Sequence, residues 1–308
     1  MIKTHGLRKV YGKLVAVDEL NLEINEGDIF GFIGPNGAGK TTTIKMLATL
    51  LRPTEGYAEI GGYNVLSQPD DVRRLIGYMP DFFGVYDDMK VWEYLDFFAM
   101  AYKIEPERRP KLLDEVLELT DLTVKRDDYV ESLSRGMKQR LCFAKTLIHD
   151  PKVLLLDEPA SGLDPRARIE FRELLKELRR MGKTILISSH ILTELSDFCN
   201  TIGIIEQGKL LVAGPVDVIT EQLRGAMVVE VRLKDDPARA QAALEGHAGV
   251  TKVEADGDLL SVHLGTDHED PAALMEFLMQ QGIKVASFRE VEADLEDIFL
   301  KITKGAVQ

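Results

Sequence analysis

The chain has 308 residues and a mass of 34.4 kDa, more than a single core usually holds, so two domains are expected. With 45% hydrophobic and 29% charged residues it is not a disordered protein, and a formal net charge of -13 argues against a nucleic-acid binder working through bulk electrostatics. The longest stretch free of Asp, Glu, Lys and Arg runs 11 residues, Ile29 to Gly39, against the roughly 20 apolar residues of a spanning helix, so no membrane span is expected. The opening MIKTHGLRKVYGKL lacks the apolar core of a signal peptide, and Cys142 and Cys199 stand far apart in no metal-ligand spacing. Together these features predict a cytoplasmic protein from a reducing compartment.

In chain order, IKTHGLRKVYG and LVAVDELNLEIN alternate apolar and polar residues and suit antiparallel strands. DIFGFIG (Asp28 to Gly34) reads as a buried strand entering a Gly-rich turn, and KTTTIKMLATLL continues with helical spacing. From about Asp87 to Asp150 the patterns are helical, including VWEYLDFFAMAY and KLLDEVLELTDL. VLLLD (Val153 to Asp157) and TILIS (Thr184 to Ser188) are short continuous apolar runs, as in parallel strands covered on both faces. Between them RIEFRELLKELRRMG repeats apolar residues at helical intervals and closes on Gly182. The tail alternates strand-like segments (MVVEVRL, TKVEA, LLSVHL, KVASFREV) with helix-like ones (PARAQAALEG, PAALMEFLMQQG). The charge shifts there too, since residues 225–308 hold 16 acidic and 8 basic side chains, a net of -8. The expected organisation is an α/β core at 1–222 with a helical insertion at about 87–150, followed by a small α+β domain at 225–308.

Gly34-Pro35-Asn36-Gly37-Ala38-Gly39-Lys40-Thr41, followed by Thr42, matches the P-loop pattern G-x-x-x-x-G-K-[ST] between a strand and a helix. Glycines there let backbone N–H groups curl around phosphate oxygens, and the helix N-terminus adds its positive end. Lys40 supplies a point charge for the β- and γ-phosphates, and the Thr41 hydroxyl can ligate Mg²⁺. Asp157 at the end of VLLLD is placed to hold Mg²⁺, and Glu158 to orient or deprotonate an attacking water. This pairing predicts a Mg-dependent P-loop NTPase.

Four further segments, taken in order, resemble the ATP-binding cassette (ABC) family over most of residues 1–220. SGLD (Ser161 to Asp164) resembles its D-loop, and His190 in ISSHIL its switch histidine. LSRGMKQRL (Leu133 to Leu141) resembles the signature LSGGQ and its basic continuation, and Tyr11 stands where the family stacks an aromatic on adenine. The resemblance implies two cassettes closing head to tail over ATP. Lys40, Thr41 and Asp157 would hold phosphates and Mg²⁺, Glu158 would polarise the water, and His190 would touch the γ-phosphate. Asp164 would couple the two sites, while Ser134 and Gly136 of the opposite subunit would complete the phosphate cage at a helix N-terminus. A lone subunit should then bind ATP yet hydrolyse it poorly.

Two motifs depart from the family pattern. Arg135 and Met137 replace Gly and Gln in the signature, where Arg135 either adds charge near phosphate or faces solvent. Asp81 stands where a Q-loop glutamine is expected, as a carboxylate able to approach Mg²⁺ or as an N-terminal turn cap. Just beyond it, the family docks a permease helix. The aromatics Phe82, Phe83, Tyr86, Trp92, Tyr94, Phe97 and Phe98 exceed what one amphipathic face needs, so some are expected as exposed interface anchors and most as core of the helical insertion.

IGYMP…YDDMKVWEYL, LSRGMKQRL and the ending DLEDIFLKIT resemble single-cassette ATPases of ABC-2 type exporters. That resemblance implies a separately encoded membrane permease as partner, a homodimer of cassettes, a site at the inner face of the cell membrane, and no nucleic acid. The competing readings are a soluble cassette acting on ribosomes or DNA, and a weakly hydrolytic ATP-binding regulator. Fused tandem cassettes and long coiled-coil inserts, expected for the former, are absent, and the set Lys40, Asp157, Glu158 and His190 weighs against the latter. In the tail, His247, His263 and His268 are too widely spread for a metal site, and DHED reads as a solvated loop.

Overall fold

A computed structural model describes residues 1–82, 84–223, 228–234, 237–265 and 271–291. Two compact units divide near residue 216, the second beginning at Asp217.

The first unit opens with β1 (Ile2–Tyr11) and β2 (Leu14–Ile24), then β3 (Ile29–Ile33), α1 (Lys40–Leu47), β4 (Glu55–Ile60), β5 (Tyr63–Asn64), α2 (Pro69–Leu75) and β6 (Ile76–Met79). The insertion follows as α3 (Val91–Ala101), α4 (Arg109–Leu119) and α5 (Arg135–Leu147). The chain then returns through β7 (Val153–Leu156), α6 (Pro165–Arg180), β8 (Thr184–Ser189), α7 (Leu192–Ser196), β9 (Thr201–Glu206) and β10 (Lys209–Pro215). β2, β1, β4 and β5 form an antiparallel sheet, and the other six strands form a second sheet in the order β10-β9-β3-β8-β7-β6. Within that second sheet β9, β3, β8, β7 and β6 are parallel, which leaves β10 as an antiparallel edge.

Composition explains the layering. Every residue of β3 and β7 is buried, as parallel strands covered on both faces must be. The alternating β2 buries Val17, Leu20, Leu22 and Ile24 and exposes Glu19, Asn21 and Glu23 between them. Those side chains join Phe30, Phe32, Ile44, Leu47, Leu155 and Leu186 in one core between the two sheets and α1. Each fully buried side chain of this size contributes about 1.5–3 kcal/mol over its exposed state. The insertion has its own core around Tyr94, Leu95, Leu113, Leu117 and Leu141, and apart from the isolated bridge Lys90–Tyr129 it is helical. α6 ends where Gly182 takes φ 84°, a left-handed position that glycine fills without strain.

The second unit begins with α8 (Val216–Leu223), so the division falls a few residues before the composition shift near 221–227. Its body is β11 (Val228–Leu233), α9 (Pro237–Glu245), β12 (Val250–Asp256), β13 (Leu259–Leu264), α10 (Pro271–Gln280) and β14 (Val285–Val291). The antiparallel sheet order β12-β13-β11-β14 gives a βαββαβ, ferredoxin-like arrangement. Val229, Val231, Leu260 and Val262 pack from the sheet against Ala240, Leu244, Leu274 and Leu278 of the helices. The run DHED with His268, and the ending DLEDIFLKIT, lie outside the described residues. His247 packs at a tilt against Phe277, with ring centres 4.4 Å apart, and His263 stands 3.7 Å from Glu254.

Candidate active site

The phosphate loop connects β3 to α1, and its backbone shape depends on glycine at two positions. A Cβ on Gly34 would sit 2.2 Å from the carbonyl oxygen of Ile205. One on Gly39, at φ 109°, would meet the Ala16 carbonyl oxygen at 2.5 Å. Asn36 and Gly37 form the exposed tip, Pro35 is half-buried, and Ala38 is buried with its amide donating to the Pro35 carbonyl at 3.1 Å. The first i to i−4 bond of α1 runs from Thr43 N to Gly39 O, so the amides of Lys40, Thr41 and Thr42 precede the helical ladder. A helix start of this kind attracts anions.

Lys40 is buried, and its ammonium donates to the Gly34 carbonyl at 2.6 Å and the Pro35 carbonyl at 3.2 Å. Its third direction faces Glu158 Oε1 at 3.4 Å. Burial pulls the Lys40 pKa down, while Glu158, Asp157 and Asp81 pull it back up. A phosphate oxygen arriving here exchanges with partners the ammonium already has, rather than filling an unpaired donor.

Asp157 closes β7 and is 1% exposed. Its Oδ1 accepts from Thr41 Oγ1 at 3.1 Å and Ser188 Oγ at 2.9 Å. Its Oδ2 is buried without a hydrogen-bond partner among the described residues. Burial pushes the Asp157 carboxyl up, with the Ser188 and Thr41 hydroxyls opposing and the charges of Asp81 and Glu158 adding to the rise. Glu158 takes φ 48°, a left-handed backbone costing about 1 kcal/mol or more in a non-glycine residue. That turn aims its carboxylate between Lys40 and His190, whose Nδ1 lies 3.0 Å from Glu158 Oε2. The Glu158 amide donates to Ser188 Oγ at 2.9 Å, so one hydroxyl orients both carboxylate residues.

The buried, partly orphaned carboxylate has a measurable consequence. Asp157→Asn keeps the Oδ1 acceptor and removes the charge, so it should raise the ligand-free melting temperature by a few degrees, at roughly 2–4 °C per kcal/mol in a unit of this size. Because the folded-state pKa of Asp157 is raised, the two proteins should melt alike in acid, where both side chains are neutral. The gap should open as the pH rises through that pKa, seen in melts from about pH 4 to about pH 8.

The structure thus gathers Lys40, Thr41, Asp157, Glu158 and His190 into one hydrogen-bonded cluster. Asp81, just past β6, is exposed, and its charge acts on Lys40, on Asp157 and on Tyr78, whose phenol burial pushes up to about 12. It caps no helix, since the next one starts at Val91 with Lys90 at its N-cap. The remaining predicted residues stand apart. Ser134 is the N-cap of α5, accepting from Met137 N at 3.3 Å, and Gly136 lies in that helix's first turn. Neither makes a hydrogen bond to residues 34–42 among the described residues. Arg135 is exposed, with its guanidinium against Gly162, where a built Cβ would stand 3.0 Å away. Asp164 caps α6 through Ala167 N at 2.9 Å. Tyr11 is 47% exposed at the end of β1, with the Lys9 ammonium 5.1 Å from its ring centre.

Sequence reasoning passed over Ser188 and Gln139. Ser188 stands two residues before His190 in ISSHIL, where its hydroxyl type was the available signal. Gln139, buried in α5, donates to the Pro159 carbonyl beside Glu158, and nothing in its local spacing marks it. Fewer of the aromatics are core than expected: Tyr94 is buried, Trp92 and Phe98 are half-buried, and Tyr86, Phe97 and the 91%-exposed Phe82 face solvent, while Phe83 lies outside the described residues.

A P-loop, a strand-end carboxylate pair and a histidine beyond the neighbouring strand define a nucleotide-binding cassette. The family profile described as "ABC transporter" matches residues 17–161, and one described as "ATP-binding protein DrrA1-3-like, C-terminal domain" matches residues 214–303. The bacitracin transport ATP-binding protein BcrA of Bacillus licheniformis is 38% identical over 99% of this chain and 98% of its own length. The daunorubicin/doxorubicin resistance ATP-binding protein DrrA of Streptomyces peucetius is 35% identical, over 98% and 92% respectively. Among solved structures, an ATP-binding subunit of an ABC transporter superposes with a TM-score of 0.66 at 29% identity, over 72% of this chain and 92% of that one. A dimeric ATP-binding cassette in a post-hydrolysis state bound to ADP and Pi gives 0.64 at 26%, over 70% and 99%. The chain belongs to the ABC transporter family, as one of its ATP-binding, ATP-hydrolysing cassettes. No helix among the described residues is long and apolar enough to cross a membrane.

Proposed function

We propose that this chain is the ATPase subunit of an ABC-2 type exporter, powering a separately encoded permease from the cytoplasmic face of the membrane. The observation that carries this reading is the Lys40–Glu158–His190 cluster, on a chain that aligns over nearly its full length with a bacitracin transport and a daunorubicin/doxorubicin resistance ATP-binding protein. A Nod factor export ATP-binding protein of Ralstonia nicotianae, 35% identical over 98% of this chain and 94% of its own, supports the same direction of transport.

In this reading ATP stacks its adenine on Tyr11, and residues 34–42 wrap the phosphates with backbone amides. Lys40 holds the β- and γ-phosphate oxygens. Glu158 takes a proton from the attacking water as the oxygen closes on the γ-phosphorus and the bond to the β-phosphate breaks. His190 contacts the γ-phosphate and is held in place by Glu158. Ser134 and Gly136 of a second copy complete the cage at the start of α5, and Asp164 couples the two sites.

The orphaned Oδ2 of Asp157 beside the Thr41 hydroxyl is a hard-oxygen set that fits Mg²⁺, with Asp81 as a further carboxylate on that side. When bound there, Mg²⁺ neutralises charge on the β- and γ-phosphates. Exposed Phe82, Tyr86 and Phe97 suit a permease contact, and residues 225–308 an accessory domain that stabilises or regulates the dimer.

The test is affinity purification of the tagged chain from native membranes. A multi-span protein that co-purifies and stimulates ATP turnover is expected. Recovery with ribosomes or nucleic acid, or alone from the soluble fraction, would sink the exporter reading.

A further inference from the structure

One continuous chain of hydrogen bonds joins the loop at 161–164 to the turn that carries His190. It starts at the Leu163 carbonyl, which accepts from Arg168 Nε at 3.1 Å. The same guanidinium extends Nη1 to Glu194 Oε1 at 2.6 Å. The second carboxylate oxygen, Oε2, accepts from Ser189 Oγ at 3.1 Å. Ser189 Oγ in turn accepts from the Ile191 amide at 3.0 Å, closing a turn whose middle residue is His190.

The donors and acceptors leave little slack. Arg168 uses two positions of a rigid planar fork, Glu194 uses both oxygens, and Ser189 uses its single proton together with a lone pair. Ser189 is buried, and its carbonyl accepts from Gly34 N at 3.4 Å, so the turn is anchored against the phosphate loop as well. One helical turn beyond Arg168, Arg172 Nη1 pairs with Asp197 Oδ2 at 2.7 Å. These links tie α6 to the segment after His190 beside a cavity of about 590 Å³ lined by both.

We infer that Arg168 and Glu194 are positioning residues for His190, locking the 189–191 turn to the 161–164 loop so that the two move together. A second cassette settling against that loop acts on His190 through Arg168. The inference rests on the reading of His190 as the γ-phosphate contact.

The test uses the purified full chain and compares ATP turnover in Ser189→Ala, Arg168→Lys, His190→Ala and their combinations. Ser189→Ala removes one oxygen and leaves the Arg168–Glu194 ion pair in place. Arg168→Lys keeps the charge but has no fork to serve Leu163 and Glu194 together. Each should lower kcat roughly 10- to 100-fold, as misplacement of a catalytic group does, with the KM for ATP little changed. Neither should add to the loss in a His190→Ala background. Turnover near wild type in both variants, with His190→Ala inactive, would overturn the relay alone. Normal turnover in His190→Ala would overturn the underlying reading of His190. A readout independent of turnover is the His190 ring resonance, assigned by its loss in His190→Ala among the 6 histidines. It should shift in both variants, and an unmoved signal in folded protein would overturn the relay.

Discussion

Glu158→Gln is expected to lower ATP turnover by roughly 10²- to 10⁴-fold, the range of a lost general base, while leaving ATP binding intact. The amide is nearly isosteric, so its oxygen can still meet Lys40 or His190, which lie 3.4 Å and 3.0 Å from the two carboxylate oxygens. What disappears is the negative charge that draws a proton from water. Two further consequences follow from the geometry. The amide no longer repels the γ-phosphate, and an ATP that is not consumed keeps two cassettes closed upon it. The variant should therefore elute as a dimer with Mg-ATP on size-exclusion chromatography, where wild type returns to monomer. A variant that stays monomeric with ATP bound would exclude closure over nucleotide, and equal, negligible turnover in both proteins with the permease present would exclude the enzyme reading of this chain.

Lys40→Ala should weaken ATP binding by roughly 30- to 5,000-fold, because losing a buried, hydrogen-bonded charge partner costs about 2–5 kcal/mol. The loss should fall on the ligand rather than the fold. Burial already pulls the Lys40 ammonium below its ordinary pKa, so the folded chain bears a cost for holding that charge which alanine removes. Against this, the variant leaves the Gly34 and Pro35 carbonyls and Glu158 Oε1 without the ammonium. Calorimetry with Mg-ATP measures the affinity, and a melting curve in its absence shows whether the fold persists. Unchanged affinity would remove Lys40 from the phosphate site.

Much of the site was legible because its chemistry is local. A glycine-rich turn between a buried strand and a helix can be read within ten residues, and a carboxylate pair ending an apolar run reads the same way. VLLLD and TILIS announced parallel strands because burial on both faces leaves no room for alternation, and β7 and β8 stand where those runs lie. Strand β10 carried a weaker signal, since it is an edge whose exposed and half-buried residues alternate in a short run. Asp81 shows the opposite limit, because its place in the sequence left a metal-side carboxylate and a turn cap equally open.

The sequence by itself determined which groups form the candidate site, since the P-loop, Asp157 and Glu158 are specified by residue type and near neighbours. Tertiary structure alone decided how those groups are held. Ser188 bridging Asp157 and the Glu158 amide, Gln139 reaching Pro159, and Arg168 reaching Glu194 are contacts between residues 20 to 31 positions apart. A hydrogen bond depends on a distance of about 3 Å and a direction, and chain spacing encodes neither until the sheet brings its strands side by side.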